Sequence, residues 1–172
     1  MDRYRNSYEW IGFFDADEFY NGEDSIKDYL LKAPAEIDAI YLQMRNFGDN
    51  GLEGMLEKGQ SLKKMFTRCA DYMANRHNGF KYFARTERVR NLISPHIIPD
   101  AELNMCLADF RITSWGMLGE LLSPCLNHYI KTREEYDERA KLGRADNTQC
   151  RIPYHILNRN ETEDSSINRE RR

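Results

Sequence analysis

Asp15, Asp17 and Glu18 stand within one short run, Asp15-Ala16-Asp17-Glu18-Phe19. Two carboxylates one residue apart offer the hard oxygen ligands that Mg²⁺ and Mn²⁺ prefer. A cation held there suits chemistry on a metal–diphosphate. A calcium loop of the EF-hand type is excluded. It requires Asp or Asn at position 19 and Gly at position 20, where Phe19 and Tyr20 stand.

A rigid element must carry these carboxylates, and Trp10-Ile11-Gly12-Phe13-Phe14 precedes them. A short apolar, aromatic run reads as a strand buried on both faces. The acidic residues then fall at its carboxyl edge, where open α/β sheets bind ligands. Asn21-Gly22 marks a turn. Ser25 caps a short helix from Ile26 to Lys32, stopped by Pro34, with Ile26, Tyr29 and Leu30 on one face. Ala39 to Arg45 alternates, with Ile40, Leu42 and Met44 opposite Tyr41, Gln43 and Arg45, and reads as a half-buried strand. It leads into Asn46-Phe47-Gly48-Asp49-Asn50-Gly51, rich in residues that tolerate positive φ.

Further along, Leu62 to Met73 reads either as helix or as strand and helix. Lys81 to Arg85 and Val89 to Ile93 read as short strands around a turn, and Leu126 to Tyr129 as a last strand. Thr132 and Glu135 form a capping box for a helix that ends at Gly143. From about Asn158 the chain is polar and charged and reads as a fraying tail, so residues 1–157 form the domain and 158–172 the tail.

The chain has 172 residues, 41% hydrophobic and 31% charged, which fits one soluble globular domain with an ordinary core. A net charge of −3 argues against a dedicated nucleic-acid binder. No apolar run reaches the length of a membrane span. The cysteines, at 69, 106, 125 and 150, have no C-x-x-C spacing and read as reduced, mostly buried thiols.

Four blocks give a resemblance. They are Trp10 to Phe19; Arg45 to Gly51; Lys81 to His96; and Asn127-His128-Tyr129-Ile130-Lys131-Thr132-Arg133-Glu134-Glu135-Tyr136 with Arg144-Ala145-Asp146 after it. In this order the chain resembles the C-terminal, catalytic part of a GT-A-type glycosyltransferase, closest to glycosyltransferase family 92 and related family-2-like proteins. A phosphatase of the haloacid-dehalogenase type also places D-x-D after a strand. It continues with Thr or Val where Phe19 stands, which disfavours a phosphohydrolase.

The resemblance implies an α/β fold with a GT-A-like mixed sheet and flanking helices. It also implies transfer of a hexose, with inversion, from a UDP-linked or similar nucleotide-sugar to a glycan or polysaccharide acceptor. Mn²⁺ or Mg²⁺ would be the cofactor. Asp17 would bind the metal, Asp15 the metal or the donor ribose, and Glu18 would orient the site. His128 and His96 are both candidates to complete the metal site. Lys131 and Arg144 are candidates to contact phosphate oxygens, a task suited to cations and guanidinium groups. Asp49 is a candidate base toward the acceptor hydroxyl, with Asp100 and Glu102 as alternatives.

GT-A enzymes place a nucleotide-binding βαβ region before the D-x-D strand. Two such units take roughly 60 residues, and here Trp10 comes early. The expectation is a truncated domain, or one completed by association through an exposed sheet edge, with a catalytically silent remnant as the second reading. The thiols fit the cytoplasm; a lost N-terminal anchor would instead fit the Golgi lumen.

Overall fold

The structure, a computed structural model, describes residues 7–71, 79–89, 96, 103–112, 120–142 and 152–164. In chain order the elements are β1 (Trp10–Gly12), β2 (Glu18–Asn21), α1 (Ile26–Leu31), β3 (Ala39–Phe47), α2 (Leu62–Met65), β4 (Arg68–Cys69), β5 (Phe80–Arg85), β6 (Met105–Leu107), β7 (Cys125–Tyr129), α3 (Arg133–Leu142), α4 (Tyr154–Leu157) and β8 (Thr162–Glu163). The fold is α/β with a mixed sheet: β5 runs antiparallel to β3, and β6 runs parallel to it. Among the described residues no helix is long and apolar enough to cross a membrane.

The chain divides into two compact units, each built from two separate segments: Met1–Arg45 with Arg76–Asn127, and Asn46–Asn75 with His128–Arg172. Chain length alone points to a single domain. The division is not legible from length because both cuts fall inside strands, β3 and β7.

In the first unit β1 pairs with β5, and β5 with β3, all antiparallel, with Ile11 opposite Ala84 and Tyr41 opposite Tyr82. Strand β3 is central, and its burial corrects the half-buried expectation. Ile40, Leu42 and Met44 enter one cluster with Tyr29, Ile37, Phe83 and Leu126. Ala39 and Tyr41 enter a second, with Tyr82, Ala84 and Val89. Both faces are therefore covered. Gln43 tolerates this because its side chain donates to Glu120 O and accepts from Leu122 N, both at 2.7 Å, so its polar groups stay satisfied. Each large apolar side chain buried this way contributes about 1.5–3 kcal/mol.

The opening run is corrected in the other direction. Strand β1 covers three residues, all half-buried, and ends at Gly12. Phe13 is 45% exposed, whereas Phe14 packs edge-on against Phe83 with ring centroids 5.3 Å apart. Among the described pairings β1 has one neighbour, β5. A strand at the end of a sheet cannot bury both faces and both edges. Helix α1 is capped as expected, with Ser25 Oγ accepting from Asp28 N at 3.1 Å. Tyr29 turns inward and donates to Ala108 O at 2.7 Å, while Ile26 stays at the surface.

In the second unit β4 pairs antiparallel with the end of β3, Phe47 opposite Cys69, and with β8 on its other side. Leu62–Met65 is helix and Arg68–Cys69 strand, which resolves the ambiguous stretch as far as it is described. Phe47 stacks on Tyr129 at 4.8 Å. The capping box of α3 is present, with Thr132 N donating to Glu135 Oε2 at 3.1 Å and Glu135 N to Thr132 Oγ1 at 3.4 Å. Gly143, expected to end this helix, lies outside the described residues.

Two further expectations are corrected here. β7 is not the last strand, since β8 follows it. Nor does the polar segment fray from Asn158. It is seated as far as Asp164, whose amide donates to Thr67 O at 2.7 Å. Its asparagines find backbone partners in the Gly48–Asn50 loop, and polarity alone does not distinguish such a segment from a solvated tail.

Candidate functional site: an acidic turn braced by a buried lysine

The chain between β1 and β2 folds back on itself at the acidic residues. Asp15 O accepts from Glu18 N at 3.0 Å. Asp15 N donates in return to Glu18 Oε2 at 2.9 Å. This reciprocal pair fixes a tight turn with Ala16 and Asp17 at its tip. The Asp15 side chain is 68% exposed, whereas that of Glu18 is 1% exposed. One motif thus presents carboxylates in very different surroundings, with Asp17 half-buried between them.

Lys81 completes the arrangement. It sits on β5 opposite Leu42, and its side chain is 1% exposed. Nζ lies 3.1 Å from Asp15 Oδ2 and 3.4 Å from Glu18 Oε2. A buried ammonium costs several kcal/mol to desolvate and needs such partners. Burial pushes the Glu18 carboxyl above its ordinary value, an effect that the Asp15 charge adds to and that the Asp15 amide and Lys81 oppose. Lys81 lies in the third resemblance block, Lys81 to His96, and the sequence assigns it no role of its own. The available signal was a lone charge inside the apolar run Phe80-Lys81-Tyr82-Phe83.

The second unit holds the other candidates. In the loop after β3, Asn50 and Gly51 adopt φ of 56° and 79°, as the residue types led one to expect. Asp49 is 5% exposed. Its Oδ1 accepts from Gly51 N at 2.8 Å and Asn160 Nδ2 at 3.1 Å, and its Oδ2 from the Tyr154 hydroxyl at 2.6 Å. Burial alone would raise this carboxyl, but the bonds from Tyr154, the Gly51 amide and the asparagines outweigh it and hold the group below its ordinary value. Lys131 O is the second acceptor near this hydroxyl, 3.0 Å from it. Asp49, Tyr154 and Asn160 line an open cavity of about 610 Å³ together with Arg133, Asp137 and Lys141. Sequence reasoning missed Tyr154, Asn158 and Asn160 because nothing local marks residues that act more than a hundred positions away.

His128 Nδ1 lies 2.9 Å from Asn46 Oδ1. His96 belongs to the first unit, is exposed, and has Nδ1 2.8 Å from Phe80 O. Lys131 is half-buried just before the Thr132 cap. Arg144, Asp100 and Glu102 lie outside the described residues, as do Ile93 and Cys150. Cys69, Cys106 and Cys125 are buried thiols outside any disulfide. Burial, helped by the charge of Asp109, pushes the Cys106 thiol up to about 12, which makes it unreactive at neutral pH.

Among the described residues no group of three or more His, Cys, Asp and Glu is placed to hold a metal ion. Neither histidine therefore joins Asp15 and Asp17 in a ready-made cage. The donor chemistry fits Mg²⁺ or Mn²⁺ in a more limited way. Such ions commonly use one or two carboxylates, with waters and substrate phosphates supplying the rest. No family model matches this chain, and no curated protein or solved structure matches it.

Proposed function

We propose that this chain is a metal-dependent glycosyltransferase that moves a sugar from a nucleotide-sugar, UDP-linked or similar, to a glycan or polysaccharide acceptor. The observation that carries the reading is the braced turn, with an exposed Asp15 carboxylate beside Asp17 on a backbone fixed by Glu18 and Lys81. In this reading Asp15 and Asp17 hold the cation, which would neutralise the departing diphosphate as a Lewis acid. Glu18 orients the turn by gripping the Asp15 amide. His128, His96, Lys131 and Arg144 remain candidates for further contacts to metal or phosphate. The GT-A likeness of the fold is part of the same proposal.

One observation favours a second reading, in which the chain binds donor or glycan without transfer. Asp49, the candidate base, has both carboxylate oxygens engaged and its proton affinity lowered. A base for an acceptor hydroxyl works best with its pKa near the operating pH.

Calorimetry with Mn²⁺ and a panel of nucleotide-sugars tests both readings. Metal-dependent nucleotide binding that disappears in Asp17→Ala is expected. Sugar release or transfer accompanying it selects the enzyme, and binding alone selects the silent module. Absence of any metal-dependent nucleotide binding by the wild type overturns the enzyme.

A further inference from the structure

The Lys81 ammonium lies between the Asp15 and Glu18 carboxylates. It lies 3.1 Å from one carboxylate and 3.4 Å from the other, on a side chain that is 1% exposed. Glu18 is equally buried, so one of the two charges Lys81 faces is locked in the interior. Asp15 is the exposed partner and the one that can turn toward solvent. The turn thus carries a fixed positive charge directly behind its outward carboxylate. A divalent ion approaching Asp15 meets that charge at short range, where screening by water is incomplete.

We propose that Lys81 is a resident counter-cation: it orders the acidic turn without metal and weakens the turn's hold on a free divalent ion. The metal then binds tightly only with a ligand that brings its own negative charge, a nucleoside diphosphate. This rests on the metal–diphosphate reading above and adds to it a positioning residue and an order of binding. Asp15 is shared between Lys81 and the incoming ion, and Glu18 keeps Lys81 in place when Asp15 moves.

Mn²⁺ alone, titrated without nucleotide and followed by the loss of its free-ion paramagnetic resonance signal, separates this proposal from the function it rests on. Wild type binds the ion weakly. Lys81→Met, folded by circular dichroism, binds it at least tenfold tighter, and unchanged affinity overturns the proposal. If Lys81→Met does not fold, Glu18→Gln/Lys81→Met removes the buried pair together, and the same gain is expected of it. A third measurement needs no variant. In wild type titrated with Mg²⁺ alone to high concentration, the side-chain NMR signals of Asp15 and the Lys81 ammonium move together. Movement of Asp15 alone, or of neither, overturns the proposal. Tighter Mn²⁺ binding by Lys81→Met, with no nucleotide binding by any form, leaves the counter-cation role standing and removes the transferase.

Discussion

Tyr154 donates its hydroxyl to Asp49 Oδ2 at 2.6 Å, across 105 positions of sequence. This bond joins helix α4 to the loop after β3 within the second unit. It makes a residue just before the polar segment a partner of the loop that carries a candidate base. Desolvation raises the Tyr154 hydroxyl above its ordinary value, with the bond and charge of Asp49 adding to the effect, so the proton stays on tyrosine.

Tyr154→Phe removes the donor and keeps the ring that Arg133 covers at 5.4 Å. Hydrogen bonds to charged groups contribute about 1.5–3 kcal/mol. A loss of that size is expected, read as a lower urea midpoint with an unchanged slope. A change below about 0.5 kcal/mol would show that the bond is not a determinant of stability.

Asp49 gives the acid limb of stability a definite sign. Its folded carboxyl lies below the ordinary value of 3.8. The stability it contributes is therefore fully present above that value and lost as pH falls through the folded one. Asp49→Asn should be less stable at neutral pH and should flatten the stability profile below about pH 4. Parallel profiles for the two proteins would refute the assignment.

Gly48 is a test of close approach. A Cβ there would overlap the Asn160 side chain and come within 2.5 Å of the Arg159 carbonyl oxygen, which is backbone and cannot rotate away. Gly48→Ala is expected to cost about 1–3 kcal/mol, measured by thermal unfolding. Asn160→Ala should not rescue it, because the carbonyl remains.

Thr132→Ala removes the hydroxyl that receives the Glu135 amide. Loss of an N-cap costs about 1 kcal/mol, and Thr132→Ser should restore most of it. Equal unfolding midpoints for all three proteins would mean that α3 does not depend on its cap.

Limited proteolysis tests the seated segment. Residues 158–164 are expected to resist cleavage in the folded chain, because Asn158 Oδ1 accepts from Asp49 N at 2.9 Å and Asn160 Oδ1 from Asn50 N at 3.0 Å. Rapid cutting between Asn158 and Asp164 would restore the fraying tail.

Residues whose partners are near in sequence were legible. Ser25 declared a cap, as did Thr132 and Glu135, and Asn50 and Gly51 declared a loop with positive φ. The alternation along β3 located the strand but not its burial. The second covering cluster, Tyr82, Ala84 and Val89, comes from a different part of the chain. Trp10 to Phe14 misled for a related reason: an apolar run records hydrophobicity, not the number of neighbouring strands. At the acidic turn the carboxylates were evident from spacing. Their charge balance was not, since it depends on the pairing that brings Lys81 on β5 beside the chain following β1.

The seating of Asn160 bears on covalent modification. Asn160-Glu161-Thr162 carries the acceptor pattern for N-linked glycosylation, and a sugar would be joined to Asn160 Nδ2. That nitrogen already donates to Asp49 Oδ1 at 3.1 Å and to Asn158 Oδ1 at 2.9 Å. A glycan would leave one N–H for two acceptors. Bearing a sugar at Asn160 would therefore cost one of these two bonds, and the segment would close onto Asp49 with a weaker hold.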